Sequence, residues 1–143
     1  MTTEKTKTIS KPRKKRRKKK ESHYQTGTHV SPKGGECKYR SGWELQYMQY
    51  LDANPDIASY EYEKVVVGYI SNVSSGRIRK YWPDFLIVYT DGRRVLVEIK
   101  PKKRLANRIV QKKHAAAEQW CQEHEATLEI VTEDELKVLG LLK

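Results

Sequence analysis

The stretch that decides the fold is Tyr81 to Lys102, Y-W-P-D-F-L-I-V-Y-T-D-G-R-R-V-L-V-E-I-K-P-K. Two runs rich in β-branched and aromatic residues, Phe85 to Tyr89 and Val95 to Ile99, flank Asp91-Gly92, a dipeptide suited to a hairpin turn. The polar residues stand out. Asp84 opens the first strand after Pro83, while Glu98 and Lys100 lie two apart on the second, so their side chains leave one face of the sheet. A two-residue loop would set Asp84 opposite Ile99. A three-residue loop Thr90-Asp91-Gly92, with Gly92 left-handed in a G1 bulge, pairs Tyr89 with Arg93 and sets Asp84 opposite Glu98. The three-residue loop is predicted on chemical grounds: carboxylates facing each other at roughly 4.5–5.5 Å repel unless a cation lies between them, and a divalent metal beside Lys100 would meet that need.

Pro83-Asp84 followed by Glu98-Ile99-Lys100 resembles the signature of the PD-(D/E)XK nuclease superfamily. The bland alternative is an edge-strand Asp with a solvated Glu-Lys pair. It fits poorly with Val95-Leu96-Val97-Glu98-Ile99, because a purely solvated pair is seldom set in so apolar a run.

Elsewhere the charge is lopsided. Residues 11 to 20, K-P-R-K-K-R-R-K-K-K, hold nine of the 29 basic residues, so the rest of the chain carries 20 basic against 18 acidic. Such a run repels itself and has nothing to bury. Residues 1–24 are therefore expected to form a disordered basic arm, with Arg13, Arg16 and Arg17 available to DNA or to an acidic partner, and residues 25–143 a single domain. No apolar stretch approaches the ~20 residues of a membrane span and the start lacks a signal-peptide apolar region, so a soluble, non-secreted protein is expected. Cys37 and Cys121 make no disulfide framework. His114, Cys121 and His124, in one predicted helix, offer no zinc motif.

Ser22 to Lys38 reads as a linker or irregular cover. Ser41 and Glu44 form a capping box that opens a helix to about Ala53, with Trp43, Tyr47, Tyr50 and Leu51 at the helical period; on spacing alone Glu44 is a cap. One strand is expected from about Ser59 to Ile70, a loop over Asn72 to Gly76, a lead-in over Arg77 to Trp82, then the hairpin, which Pro101 stops. The longest helix is expected over 104–124 with Leu105, Ile109, Ala116 and Trp120 on one face. Thr127 to Val131 is a last strand, and Thr132 with Glu135 caps a short terminal helix. Between Arg93 and Lys113 nine Lys or Arg accompany one acid, Glu98. Lys102, Lys103, Arg104, Arg108 and Lys112 would thus surround the carboxylates with a positive field suited to a phosphodiester backbone.

The order helix, three strands, helix, strand, helix matches the α/β (α+β) restriction-endonuclease-like fold: an αβββαβ core with a mixed central sheet and a short C-terminal helix. Y-R-S-G-W-E at 39–44, Y-W-P-D-F at 81–85 and D-G-R-R-V-L-V-E-I-K-P-K-K-R-L at 91–105 resemble the N-terminal nuclease domain of TnsA-type transposon endonucleases, over roughly residues 38–131. Within that group the short chain and basic arm are most similar to the head-completion nucleases of large tailed phages. The resemblance implies a late role in virion assembly on double-stranded DNA, in the host cytoplasm or on the virion, with a portal or neck protein meeting the basic arm. It places the family's helical acid on Glu44, its metal-binding Asp on Asp84, its second carboxylate on Glu98 and its Lys on Lys100. Transposon enzymes of this type carry a further C-terminal domain that this chain is too short to hold, which argues against transposition.

Phosphodiester hydrolysis calls for a hard cation, and Mg²⁺, with Mn²⁺ as a substitute, suits the oxygens of Asp84, Glu98 and the Ile99 backbone carbonyl, with Glu44 direct or through water. Lys100 is better placed to position water and stabilise charge than to act as a base, because two carboxylates beside it favour its charged form. No base-reading module is apparent, so a DNA endo- or exonuclease of little sequence specificity and steep salt dependence is expected. The competing functions are a catalytically silent DNA-binding or portal/neck structural protein, and a transposition or repair nuclease.

Overall fold

Apolar alternation and turn chemistry place most elements where the sequence puts them. A computed structural model describes residues 25–143. A β-hairpin, β1 (Gly27–Ser31) and β2 (Gly35–Tyr39), is followed by α1 (Gly42–Ala53), then β3 (Ile57–Tyr62), β4 (Val67–Asn72), β5 (Arg77–Tyr81), β6 (Phe85–Tyr89) and β7 (Arg94–Ile99). After a 3₁₀ turn at Lys102–Arg104 come α2 (Arg108–Glu123), β8 (Thr127–Val131) and α3 (Glu133–Val138). The central sheet has the order β3-β6-β7-β8, antiparallel except for the parallel β7–β8 pair, so it is mixed. The series α1, β3, β6, β7, α2, β8 is the αβββαβ core of the restriction-endonuclease-like fold.

Both faces of the sheet are covered, which is why β6 and β7 read as nearly unbroken apolar runs. Phe85, Ile87, Val95, Val97 and Ile99 pack with Tyr47, Met48 and Leu51 of α1 and with Leu136 of α3. Leu86 and Leu96, on the opposite face, pack with Ala117 and Cys121 of α2 and with Val67, Tyr69 and Tyr81 of β4 and β5. Phe85 is the hub of the first layer, with the rings of Tyr47, Tyr60 and Tyr62 at centroid distances of 5.3, 5.7 and 5.3 Å.

The three-residue turn is present. Tyr89 N–H donates to Arg93 O at 2.8 Å, Gly92 N–H donates to Tyr89 O at 3.0 Å, and Gly92 has φ +94°. The ladder Phe85↔Val97, Leu86↔Leu96, Ile87↔Val95, Val88↔Arg94 is the register of that turn, with Asp84 and Glu98 the next residues along, just past its last pair.

Four expectations need correction. Ser22 to Lys38 is not irregular throughout, because 27–39 form the β1–β2 hairpin, tied to α1 through Ser31 and His29 on the Asp52 carboxylate and Lys33 Nζ on the Leu51 and Asn54 carbonyls. The strand expected over Ser59 to Ile70 is two strands: Glu63 takes φ +51°, which ends β3 and frees β4 to pair with β5 in a separate hairpin. Arg77 to Tyr81, read only as a lead-in, is the second strand of that hairpin. The long helix starts at Arg108 instead of 104, because the Asn107 side chain accepts from Ile109 N–H and Val110 N–H as an N-cap. Its buried face is consequently Val110, Ala117 and Cys121, with Ala116 and Trp120 packed partly buried beside it as expected, Ile109 exposed and Leu105 outside the helix. Small residues at 117 and 121 let α2 lie close against Leu86 and Leu96. Arg13, Arg16, Arg17 and the rest of the expected arm lie outside the described residues. Among the described residues no helix is long and apolar enough to cross a membrane.

Candidate active site

The acidic residues of three strand ends and one helix start converge at one end of the central strands. Ser41 is the N-cap of α1, its Oγ accepting from Glu44 N–H at 3.2 Å. The Glu44 carboxylate turns back, its Oε2 accepting from Arg40 N–H at 2.7 Å and from the Tyr62 hydroxyl at 2.9 Å. The capping reading of Glu44 thus holds in modified form, with the reciprocal bond going to Arg40 instead of Ser41. At 8% exposure, Glu44 is also a buried acid facing other acids.

Asp84, just before β6, receives Ile99 N–H on Oδ2 at 2.7 Å, so the neighbouring strand's backbone orients its carboxylate. Glu98, on β7, is 5% exposed; the Tyr81 hydroxyl donates to its Oε2 at 2.8 Å and Lys100 Nζ lies 3.3 Å from its Oε1. Glu44, Asp84, Glu98 and Lys100 all line one cleft of ≈ 1030 Å³, together with Ile99.

Glu63 joins them and was not singled out from the sequence. It offers a carboxylate oxygen with Glu44 and Asp84, all three within 4.8 Å of one another. Strand alternation would have sent Glu63 to the side of Glu61, away from the Tyr60 and Tyr62 core. The left-handed backbone at Glu63, with its N–H donating to Asp84 O at 2.9 Å, redirects it. Arg40 Nη2 balances it at 3.1 Å. An acidic residue closing an alternating strand is the only hint the sequence holds.

This crowding shows in the acidities. Burial, then the Glu98 and Glu44 carboxylates, push Asp84 well above the usual carboxylate range. Burial raises Glu98 as well, against the opposing pull of Lys100. Burial raises Glu63, with Arg40 acting against it. Anions so placed need a cation among them, and a donor set made only of carboxylate oxygens suits a hard divalent ion better than a thiophilic or imidazole-seeking one. The residues present therefore fit a divalent metal.

Cations rim the same cleft: Arg40, Lys80, Lys100, Lys103, Arg104 and Lys113. Lys113 sits over the Tyr69 and Tyr81 rings at 5.8 and 5.6 Å, and burial followed by the charge of Lys100 lowers its pKa. Of the residues expected to contact DNA, Lys103 and Arg104 line the cleft, whereas Arg108 is exposed on α2 and is not among the lining residues. Lys102 pairs with Asp134, and Lys112 Nζ donates to the Ser71 carbonyl at 3.0 Å. Arg40, Lys80 and Lys113 come to the rim from three separate elements or loops, which no local count of charge reveals.

Residues 54–133 match the family described as TnsA-like endonuclease N terminal. The chain is also similar to the head completion nuclease of Enterobacteria phage T4, with 31% identity over a 124-residue alignment that covers 71% of this chain and 82% of that protein. With the αβββαβ core and the family match in agreement, this chain belongs to the TnsA-like endonuclease N-terminal family.

Proposed function

We propose that this chain is a Mg²⁺-dependent deoxyribonuclease of little sequence specificity that acts in phage head completion, the role named in its T4 relative. The observation that carries the reading is the convergence of Glu44, Glu63 and Asp84 within 4.8 Å in a cleft rimmed by six basic side chains. Asp84, Glu44 and Glu63 would hold the ion, with Glu98 and the Ile99 carbonyl at its side; Mn²⁺ would substitute. Bound there, the ion supplies a Lewis acid that neutralises charge developing on the phosphate and makes an attacking water more acidic. The chain's own groups do the rest. Ile99 N–H fixes the Asp84 carboxylate and the Tyr81 hydroxyl fixes that of Glu98. Lys100, held at Glu98, orients the water and meets the negative charge that builds on the phosphoryl oxygens. Arg40, Lys80, Lys103 and Arg104 hold phosphates along the strand without reading bases. The basic arm, with nine Lys or Arg in residues 11–20, extends the polyanion contact or meets an acidic face of a portal or neck protein.

The direct test is a time course on supercoiled and linear duplex DNA with Mg²⁺, Mn²⁺ or EDTA. Cleavage is expected with either ion and none with EDTA, and nicking of the supercoiled form would identify endonuclease action. Binding without cleavage under every condition would reassign the fold to a connector or DNA-binding role.

Glu44→Gln separates the two roles of that residue. The glutamine carbonyl can accept from Arg40 N–H and the Tyr62 hydroxyl, so the loss of stability should stay below the 0.5–2 kcal/mol of a deleted cap. Cleavage should nonetheless fall by about 10²-fold, an effect of the size seen when one electrostatic group is removed from a site. A variant that melts early yet cuts at the normal rate would leave Glu44 as a cap alone.

A further inference from the structure

The β4–β5 hairpin is a two-stranded sheet of its own, separate from the central sheet. One face is committed: Val67, Tyr69 and Tyr81 are buried against the α2 layer. The other face is not. Ile70 and Ile78 are register partners and so leave the same side of the ribbon, 52% and 70% exposed, with Val73 82% exposed at the turn. Lys80 leaves the same side as Ile78, whereas Arg79, partner of Tyr69, and Arg77 alternate to the side of Tyr81; all three are exposed, and no acid occurs between Lys64 and Pro83. Solvated hairpins ordinarily mix both signs and keep branched apolar side chains off an open face.

We propose that this hairpin is a DNA-contacting ribbon that seats in the groove of the duplex beside the cut site. Ile70 and Ile78 would lie against base edges, and Arg77, Arg79 and Lys80 against the flanking phosphates. The proposal rests on the deoxyribonuclease reading and adds where and how the duplex is held. Charge selects the partner: three cations without an acid favour a polyanion over a protein surface. Continuity selects the place. Lys80 belongs to the ribbon and also lines the cleft, Trp82 lines it next, and Asp84 follows two residues on. At about 3.3 Å per extended residue, Ile78 lies within roughly 20 Å of Asp84, or about six base steps at 3.4 Å each. A two-stranded ribbon has the width of the major groove, where thymine methyls and base edges accept apolar contacts.

The test measures binding of the full chain to a labelled duplex by fluorescence anisotropy in EDTA, across a salt series. Arg77→Ser with Arg79→Ser should weaken binding about tenfold and reduce the slope of log K against log salt by about 2. Ile70→Ser with Ile78→Ser should weaken binding several-fold and leave the slope unchanged, since no phosphate contact is lost. Lys38→Ser with Lys137→Ser removes the same charge elsewhere and should have a smaller effect than either. Hydrolysis of a small phosphodiester, bis(p-nitrophenyl) phosphate, should be equal in all variants. Unchanged affinity and slope in the hairpin variants, or an equal loss in the lysine control, would overturn the proposal. Because binding is read without metal, a wild-type chain that never cuts would sink the nuclease reading and still leave the hairpin measurable.

Discussion

Asp84→Asn should reduce DNA cleavage by about 10³-fold or more while raising, or leaving unchanged, the stability of the metal-free protein. Asparagine keeps an oxygen to accept Ile99 N–H, the bond that orients Asp84 at 2.7 Å, so the strand end remains satisfied. Asp84→Ala would instead leave that donor unpaired, at a cost of about 1–3 kcal/mol if it stays buried. What asparagine removes is charge. Several kcal/mol of transition-state stabilisation go with the metal, and each 1.36 kcal/mol is tenfold in rate. The stability arm follows from sign. Burial, Glu98 and Glu44 hold the Asp84 pKa above its ordinary value of 3.8, so its contribution to stability is full below that value and is lost as pH rises through the folded-state pKa. Above that folded-state pKa the metal-free wild type therefore carries a repulsion that the asparagine variant lacks. Thermal melts in EDTA and in Mg²⁺ at pH 5 and pH 8 read this directly. The Mg²⁺-induced rise in Tm should grow with pH in the wild type, reaching the equivalent of about 2.7 kcal/mol at a metal concentration 100-fold above Kd, and should be small in the variant. An equal Mg²⁺ shift in both proteins would remove Asp84 from the metal site.

The parts of this fold legible in the sequence are those that local chemistry specifies. Asp91-Gly92 between two apolar runs is enough to place β6, β7 and their turn, and the demand for a cation between Asp84 and Glu98 is enough to choose the register. Ser41 and Thr132 mark two helix starts for the same reason: a cap satisfies donors only a few residues away. The misplaced elements depended on tertiary partners or on backbone choices that side-chain patterning does not encode. The face of α2 is set by Asn107 and by the close fit of Ala117 and Cys121 on the sheet, with Ala116 and Trp120 packed beside them as expected and Ile109 left exposed. Ser59 to Ile70 reads as one long strand because Tyr60 and Tyr62 alternate with Glu61 and Glu63 and lead into Val65-Val66-Val67. The break at Glu63 comes from a left-handed residue that propensity gives no reason to expect. The place of Lys80 in the basic rim is a product of the same break, since it releases the β4–β5 hairpin that brings Lys80 to the cleft.

Glu63→Gly is the sharpest probe of that break. A non-glycine residue at φ +51° holds a conformation that costs L-residues about 1–2 kcal/mol, and glycine adopts it freely. Part of that relief is offset by the greater freedom of glycine in the unfolded chain. Losing the Arg40 partner adds little, because Arg40 is 74% exposed and its ion pair is largely solvated. The variant should thus melt within about 1 kcal/mol of wild type, or above it. Its metal site should suffer far more. Removing one of three carboxylates that lie within 4.8 Å of one another should weaken Mg²⁺ binding at least tenfold by titration calorimetry, with cleavage partly restored at high Mg²⁺ and DNA affinity in EDTA unchanged. A strained residue whose removal stabilises the fold and empties the site would be retained for function, the direction in which backbone strain is properly read. If Glu63→Gly binds Mg²⁺ as well as wild type, the left-handed turn serves only to part β3 from β4, and Asp84, Glu98 and Glu44 must hold the ion without it.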